Sequence, residues 1–482
     1  MTDREKLKNF IWHGLPVCAL VVWGLLCLTD YLWYDEAYSA ALVALPWRRL
    51  IYITAVDAHS PFYYSLLKLL YLLCGGGTHF FVLKLLSLFF MMGYMLLGKY
   101  YVRKLFDRET SLYFMLFSLL MPIMSVQAGN VRMYAAALFF MTLMGLSAYD
   151  IYKEETPLKW AVFCLASICT VYCHTFAMIQ AFLFYVLFLA ALLIGGQKEK
   201  RKGFFVCGGI VALAFSPWLY VTARQMLLRM RYDTGSVQER ASLASFADYT
   251  REWFSALETP IDGVAYLGLA LFFVLVGLGL CGLGRQADKR PLIGLGALLL
   301  TILTGFLISV FVNNCFLGRY AFPGFGFLML FYALGMKQIR RIPPRVGIWG
   351  AALLCFGLQY GSELSLEYED EGLKAYRQFI EEEVEAEDVM IGPYAHTVFL
   401  SVYHPGLKVY IDGYKPYKLP FDNVEELTNH EALEEVSGDI WYICFAGDIP
   451  WSFREEYDYR EALAFHYMYY DFVIYRLERS NR

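Results

Sequence analysis

The sequence predicts a mainly α-helical, polytopic transmembrane bundle of about eleven spans with a small C-terminal extracytoplasmic α/β domain. Three observations predict it. Apolar runs of about 20 residues recur along the first three quarters of the chain, each long enough for a ~30 Å hydrocarbon core. Of 482 residues, 58% are hydrophobic and 18% charged, against about a half and a quarter in soluble domains. The net charge of −4 is unevenly spread: residues 361–482 hold 26 acidic and 10 basic residues, and residues 1–360 hold 19 and 31. A mildly basic apolar body carries an acidic tail, and nothing in this balance points to nucleic acid as a partner.

Spans are read at 10–31, 79–100, 111–128, 131–150, 159–174, 176–194, 203–222, 263–284, 291–312, 319–338 and 345–361. The first is too long for a signal peptide and no small-residue cleavage site follows it, so it reads as a retained helix. Short Lys/Arg-rich loops are expected in the cytoplasm. "KYYVRKLFDR", "YKEETPLK", "GQKEKRKG", "GRQADKRP" and "MKQIRRIPPR", with the N-terminal "REKLK", are each separated by two spans. One assignment satisfies them all: N-terminus cytoplasmic, C-terminal domain outside. "PFYYSLLKLLYLLC", residues 61–74, is short, carries Lys68 and ends at Gly75-Gly76-Gly77. Counting it as a span would invert everything after it, so it reads as lying on the outer interface or re-entering.

The domains expected are 1–361, with a first external loop at 32–78, and 362–482. In the tail, "EGLKAYRQFIEEEVEAEDVMIGPY" reads as an amphipathic helix and a short buried strand, and "IWYICFAG" and "FVIYRLE" as further strands. The tail's acidity reads as a solvated face. Most of the 11 cysteines fall in apolar runs as small buried hydrophobes. No CxxC pair exists, so neither a zinc nor a redox motif is indicated.

Ionisable residues gather at the outer ends of spans, where charge near hydrocarbon is costly and informative. These are Asp35 and Glu36 in "WYDEAYSA", Asp57 and His59 in "DAHSPFYY", Arg132 in "GNVRMY", His174 in "YCHTFA" and Arg319 in "GRYAFP". Each has a structural alternative. Asp35 and Glu36 suit a helix N-terminus. Ser60 and Pro61 suit an N-cap and first helical position, leaving His59 incidental. His174 suits a satisfied buried histidine, and the arginines suit snorkelling to headgroups. Both arginines nevertheless run against the positive-inside trend, and tyrosines follow them at 134 and 320.

Arginine's planar fork fits phosphate oxygens, and a nearby carboxylate takes the proton of an acceptor hydroxyl. Together these describe glycosyl transfer from a polyprenyl-phosphate sugar. The leaving group is already an anion, and a single inverting displacement needs one base rather than a nucleophile and an acid. No glycine-rich loop of the dinucleotide or P-loop type is present.

The ordered motifs resemble those of family 39 glycosyltransferases, a GT-C group that includes protein O-mannosyltransferases and the lipid A aminoarabinose transferase. "WYDEAYSA" resembles the family's Asp-Glu motif in the first external loop, and "DAHSPFYYSLLKLL" its His-Pro-Pro-Leu-Tyr-Tyr segment. "SVQAGNVRMYAAAL" is similar to its Ala-Arg-x-Tyr segment, "CHTFA" to its histidine turn and "GRYAFP" to its Arg-Tyr-x-x-Pro motif. The set covers roughly residues 10–340. The resemblance implies Asp35 as catalytic base with Glu36 shaping its site, and Arg132 and Arg319 on the donor phosphate beside Tyr134 and Tyr320. It implies that Asp57, His59 and His174 line the cavity. The chain has Ser60 where the family often has proline, and the tail matches no motif. Some GT-C enzymes use a divalent metal; with no Asp-x-Asp here, that stays open.

The partners expected are a polyprenyl-phosphate-linked sugar, membrane lipid, and a glycan, lipid or protein acceptor, in a bacterial cell membrane. Two other classes stand beside this one. A transporter or flippase expects midplane charges or broken helices in matched halves, and no inverted repeat is evident. An inactive scaffold does not need Asp35, Arg132 and Arg319.

Overall fold

A computed structural model describes residues 3–57, 59–76, 79–232, 241–254, 262–284, 288–312, 314–393, 402–404, 406–412, 423–445, 449–467 and 470–480. Gly77 and parts of the 223–262 loop therefore lie outside the described residues. The chain divides into two compact units. The first comprises Met1–Leu28, Thr54–Leu70 and Phe81–Glu363; the second comprises Thr29–Ile53, Tyr71–Phe80 and Leu364–Arg482.

Helices α1 (Asp3–Leu25), α2 (Tyr34–Ala44), α3 (Trp47–Val56), α4 (Pro61–Leu73) and α5 (Phe81–Leu96) open the chain. A π-helical turn, Leu97–Val102, and a short α6 (Arg103–Leu105) continue α5. Then come α7 (Arg108–Leu120), α8 (Pro122–Gly129), α9 (Tyr134–Lys153), α10 (Pro157–Cys173), α11 (Thr175–Ile194) and α12 (Lys198–Tyr232). Next are α13 (Leu243–Phe254), α14 (Asp262–Gly284), α15 (Pro291–Phe311), a 3₁₀ segment (Gly318–Gly324), α16 (Phe325–Gln338) and α17 (Ile342–Glu369).

Every expected span overlaps a helix, and the first, 10–31, runs past the end of α1 at Leu25. Six are long and apolar enough to cross a membrane by length and composition, and the bent pair α7–α8 makes up to seven. The chain is a multi-pass integral membrane protein. Residues 111–128, read from sequence as one span, are broken by 69° between α7 and α8. Pro122 lacks an amide hydrogen and its ring clashes with the preceding turn, so it begins a new helix rather than continuing the old one. Segment 61–74 forms α4, whose 13 residues extend only about 20 Å.

Helix α9, buried along most of its length, packs against α5 and α10. Helices α14 and α16 approach closely through glycine: a Cβ on Gly335 would lie 2.2 Å from the Leu275 carbonyl oxygen. Close backbone approach of this kind drives helix association where water supplies no hydrophobic force.

At one end of this unit the basic loops are linked to one another. Lys104 and Lys159 both pair with Asp150, at 2.5 and 3.1 Å. Lys200 donates to the Tyr152 carbonyl at 2.7 Å, Arg290 to the Tyr149 carbonyl at 2.7 Å, and Lys337 pairs with Asp107. Five loops spaced far apart in sequence therefore share one end of the unit.

The second unit contains α2 and a mixed six-stranded sheet. The strands are β1 (Val389–Gly392), β2 (Lys408–Ile411), β3 (Val424–Glu426), β4 (Ile440–Phe445), β5 (Tyr457–Tyr467) and β6 (Tyr470–Arg479), in the order β3-β2-β1-β4-β6-β5. Strands β3, β2, β1 and β4 run parallel; β6 pairs antiparallel with β4 and β5. The amphipathic α18 (Glu371–Glu383) has Asp370 as N-cap, accepting from the Leu373 amide at 2.6 Å. Its Tyr376 ring lies 5.4 Å from Phe465 of β5. Central strands β1 and β4 are buried on both faces, as expected where layers cover both sides of a sheet.

Candidate functional site

At the end of the first unit opposite the linked basic loops, the predicted Asp57, His59, Arg132, Tyr134, His174, Arg319 and Tyr320 gather. The Pro122 break starts α8, which leads through Asn130–Met133 to the N-terminus of α9. Ser87 on α5 fixes this connection by donating to the Asn130 carbonyl at 2.5 Å. Arg132 is thereby held 4% exposed. It donates through Nη1 to the Tyr64 hydroxyl at 3.1 Å and through Nη2 to His59 Nε2 at 2.9 Å. An accepting Nε2 places the His59 proton on Nδ1. Asp57 sits half-buried in the same turn, two residues earlier. Gln225 of α12 fixes the end of α3 leading into that turn, donating to the Thr54 carbonyl at 2.8 Å.

His174 is the N-cap of α11, and its Nδ1 accepts the Phe176 amide at 3.2 Å. Burial first, then the neighbouring Arg132 and Arg319 guanidiniums, hold its pKa well below the usual value. It is a neutral imidazole with its proton on Nε2. Its ring lies 4.8 Å from Tyr320 and 5.5 Å from Tyr134, and those two tyrosines are near-parallel at 6.5 Å. Phe176 stacks on the other side of Tyr320 at 5.1 Å. Arg132 and Arg319 thus act on one aromatic group from two different segments.

Arg319 is held by a residue the sequence reading did not single out. Glu252 on α13 accepts the Arg319 backbone amide at 2.7 Å, and its other oxygen lies 3.9 Å from the guanidinium. Trp253 donates to the Gly318 carbonyl at 2.9 Å. A Cβ on Gly318 would lie 2.2 Å from the Tyr249 carbonyl oxygen and 2.5 Å from Glu252 Oε2, so glycine is required for this approach. Burial raises the Glu252 pKa, with Arg319 opposing the rise. Lys84 is a second missed residue. It is fully buried on α5, one turn before Ser87, and its signal was a lysine inside the apolar run "FVLKLLSLFF".

Asp35 and Glu36 belong to the second unit, in the first turn of α2. Glu36, 3% exposed, accepts the Trp33 amide at 3.1 Å and so caps its own helix. Asp35 is half-buried, and its carbonyl accepts from the Ser39 hydroxyl at 3.0 Å. The preceding strand of chain is fastened by tyrosines of the sheet domain. Tyr403 accepts the Leu32 amide at 2.8 Å and donates to the Asp30 carbonyl at 3.0 Å. Tyr467 donates to the Leu32 carbonyl at 2.7 Å. Among the described residues no group of three His, Cys, Asp or Glu side chains is placed to hold a metal ion.

The fold is that of a multi-pass helical membrane protein with a small C-terminal sheet domain. Two solved structures of ArnT from Cupriavidus metallidurans carry the similarity over nearly the whole chain. The form bound to undecaprenyl phosphate aligns with a TM-score of 0.64 at 12% identity, covering 96% of this chain and 98% of that one. The apo form gives 0.65 at 13%, covering 96% and 97%. The oligosaccharyltransferase AglB from Archaeoglobus fulgidus, in complex with an inhibitory peptide and a dolichol-phosphate, gives 0.52 at 12%, covering 82% and 64%. At these identities the likeness is one of fold. No family model and no curated protein matches the sequence.

Proposed function

We propose that this protein is an integral-membrane glycosyltransferase that moves a sugar from a polyprenyl-phosphate donor to an acceptor hydroxyl outside the cytoplasm. The observation that carries the reading is the convergence of Arg132 and Arg319 on neutral His174 at one end of a GT-C bundle. Arg132 is oriented by His59 and Tyr64, and Arg319 by Glu252 and Tyr320; two guanidinium forks held this way suit phosphate oxygens. The undecaprenyl phosphate in the ArnT complex and the dolichol-phosphate in the AglB complex support a lipid donor.

The reaction is a single inverting displacement. The acceptor oxygen attacks the anomeric carbon as Asp35 takes its proton. The bond from that carbon to the phosphate oxygen breaks, and polyprenyl phosphate leaves with the electron pair, its charge stabilised by Arg132 and Arg319. Tyr134 and Tyr320 flank the donor phosphate beside the arginines, with Asp57, His59 and His174 lining the cavity. Glu36 serves α2 as its cap, leaving the proton transfer to Asp35. We place the linked basic loops and the N-terminus in the cytoplasm of a bacterial cell, with α4 on the outer interface and the C-terminal domain, 362–482, outside.

The test supplies membranes containing the protein with radiolabelled polyprenyl-phosphate sugar or, separately, nucleotide sugar. Transfer from the lipid donor alone supports the reading. Transfer from the nucleotide sugar in the absence of any polyprenyl carrier overturns it.

A further inference from the structure

We propose that Lys99, Arg103 and Arg108, gathered around the indole of Trp12, bind the phosphate of an anionic membrane lipid. The site lies at the end of the first unit that carries the linked basic loops, away from Arg132 and Arg319, and does not rest on the transferase reading.

Three cations surround one ring. The Lys99 ammonium lies 5.0 Å from the Trp12 ring centre, the Arg103 guanidinium 4.9 Å and the Arg108 guanidinium 5.2 Å. Lys99 is only 8% exposed. Neighbouring cations at this end are neutralised by carboxylates: Lys104 and Lys159 on Asp150, Arg290 on Asp288, Lys337 on Asp107. Among the described residues no carboxylate pairs with Lys99, Arg103 or Arg108, and Arg108 donates to the neutral Asn9 side chain. The face of an indole attracts each cation, but it does not neutralise three charges that repel one another. An oxyanion does, and arginine forks with a lysine point charge are the donor set that phosphate takes.

The site is also built rather than incidental. Lys99 sits in the π-helical turn Leu97–Val102, a distortion that recurs at functional positions. Ser111 on α7 fixes both halves. It donates to the Gly98 carbonyl at 2.7 Å and accepts from Trp12 Nε1 at 3.1 Å. Free phosphate offers the same oxygens, but the flanking surface favours a lipid. Phe10 and Tyr100, beside Trp12 and Lys99, are 77% and 60% exposed at the end of spanning helices, where tails would cover them. Basic recesses between helices at this depth hold anionic headgroups.

The full chain in detergent is titrated with phosphatidylglycerol and read by native mass spectrometry, with and without millimolar inorganic phosphate. Wild-type protein should bind the lipid, and Lys99→Gln/Arg103→Gln should bind it at least about tenfold more weakly. Lys99→Arg, which keeps the charge, should bind as wild type does. Equal binding by the double variant overturns the proposal. So does loss of binding in Lys99→Arg, which would assign the effect to packing, and so does displacement of the lipid by inorganic phosphate, which would assign the site to a free anion.

Discussion

Arg132 donates one Nη to His59 Nε2 at 2.9 Å and the other to the Tyr64 hydroxyl at 3.1 Å. These two contacts orient the guanidinium fork. The geometry needs a fork, which lysine lacks. Arg132→Lys should therefore lower transfer from the lipid donor by about tenfold or more, since a charge-assisted hydrogen bond is worth roughly 1.5–3 kcal/mol. Wild-type donor dependence in that variant would remove Arg132 from the phosphate.

His174 gives a pH signature. Its folded pKa lies well below the usual value because of burial and then the Arg132 and Arg319 charges. Below about pH 6.5 the unfolded chain binds a proton there that the folded chain refuses. This contribution to stability is complete above that pH and declines as pH falls below it. His174→Asn keeps a capping acceptor for the Phe176 amide and does not titrate. Thermal unfolding of the variant should show a flatter acid limb than wild type; an identical limb would contradict the assignment.

Glu252 and Gly318 hold the Arg319 segment. Glu252→Ala removes an acceptor from the partly buried Arg319 amide and should cost about 1–3 kcal/mol, while Glu252→Gln keeps an acceptor and should cost less. Gly318→Ala forces a side chain against the Tyr249 carbonyl and should cost a similar 1–3 kcal/mol. Denaturation of the three variants in parallel ranks them, and Gln performing no better than Ala would show that charge, not the hydrogen bond, does the holding.

Much of this was legible in the sequence because hydropathy and helical period report directly on burial. The expected spans are helices, and strands β1, β4 and β6 stand where short apolar runs were read. Edge elements were not legible. Strand β3 has three residues and β5 is largely exposed, so neither carries an apolar run. The break at Pro122 was signalled by the proline, but the surrounding apolar run masked it. Glu252 could not be found locally. It sits in "DYTREWF" among other charges, and its importance comes from a contact 67 residues away. Lys84 did carry a local signal, a charge in an apolar helix.

The chain before α2 is fastened by two tyrosine hydroxyls from distant parts of the sequence. Tyr403→Phe and Tyr467→Phe should each cost about 0.5–1.5 kcal/mol, and Tyr403→Phe should speed hydrogen exchange at the Leu32 amide. Unchanged exchange there would show that Tyr403 does not hold this segment.

The central claim is that Asp35 is the base. Its most direct test is Asp35→Asn in membranes given radiolabelled polyprenyl-phosphate sugar, with expression matched to wild type. Asparagine keeps the shape and the helix but takes no proton, so transfer should fall by about 10²–10⁴-fold, the usual worth of a positioned base, with donor binding retained. Transfer at the wild-type rate would show that the proton leaves by another route.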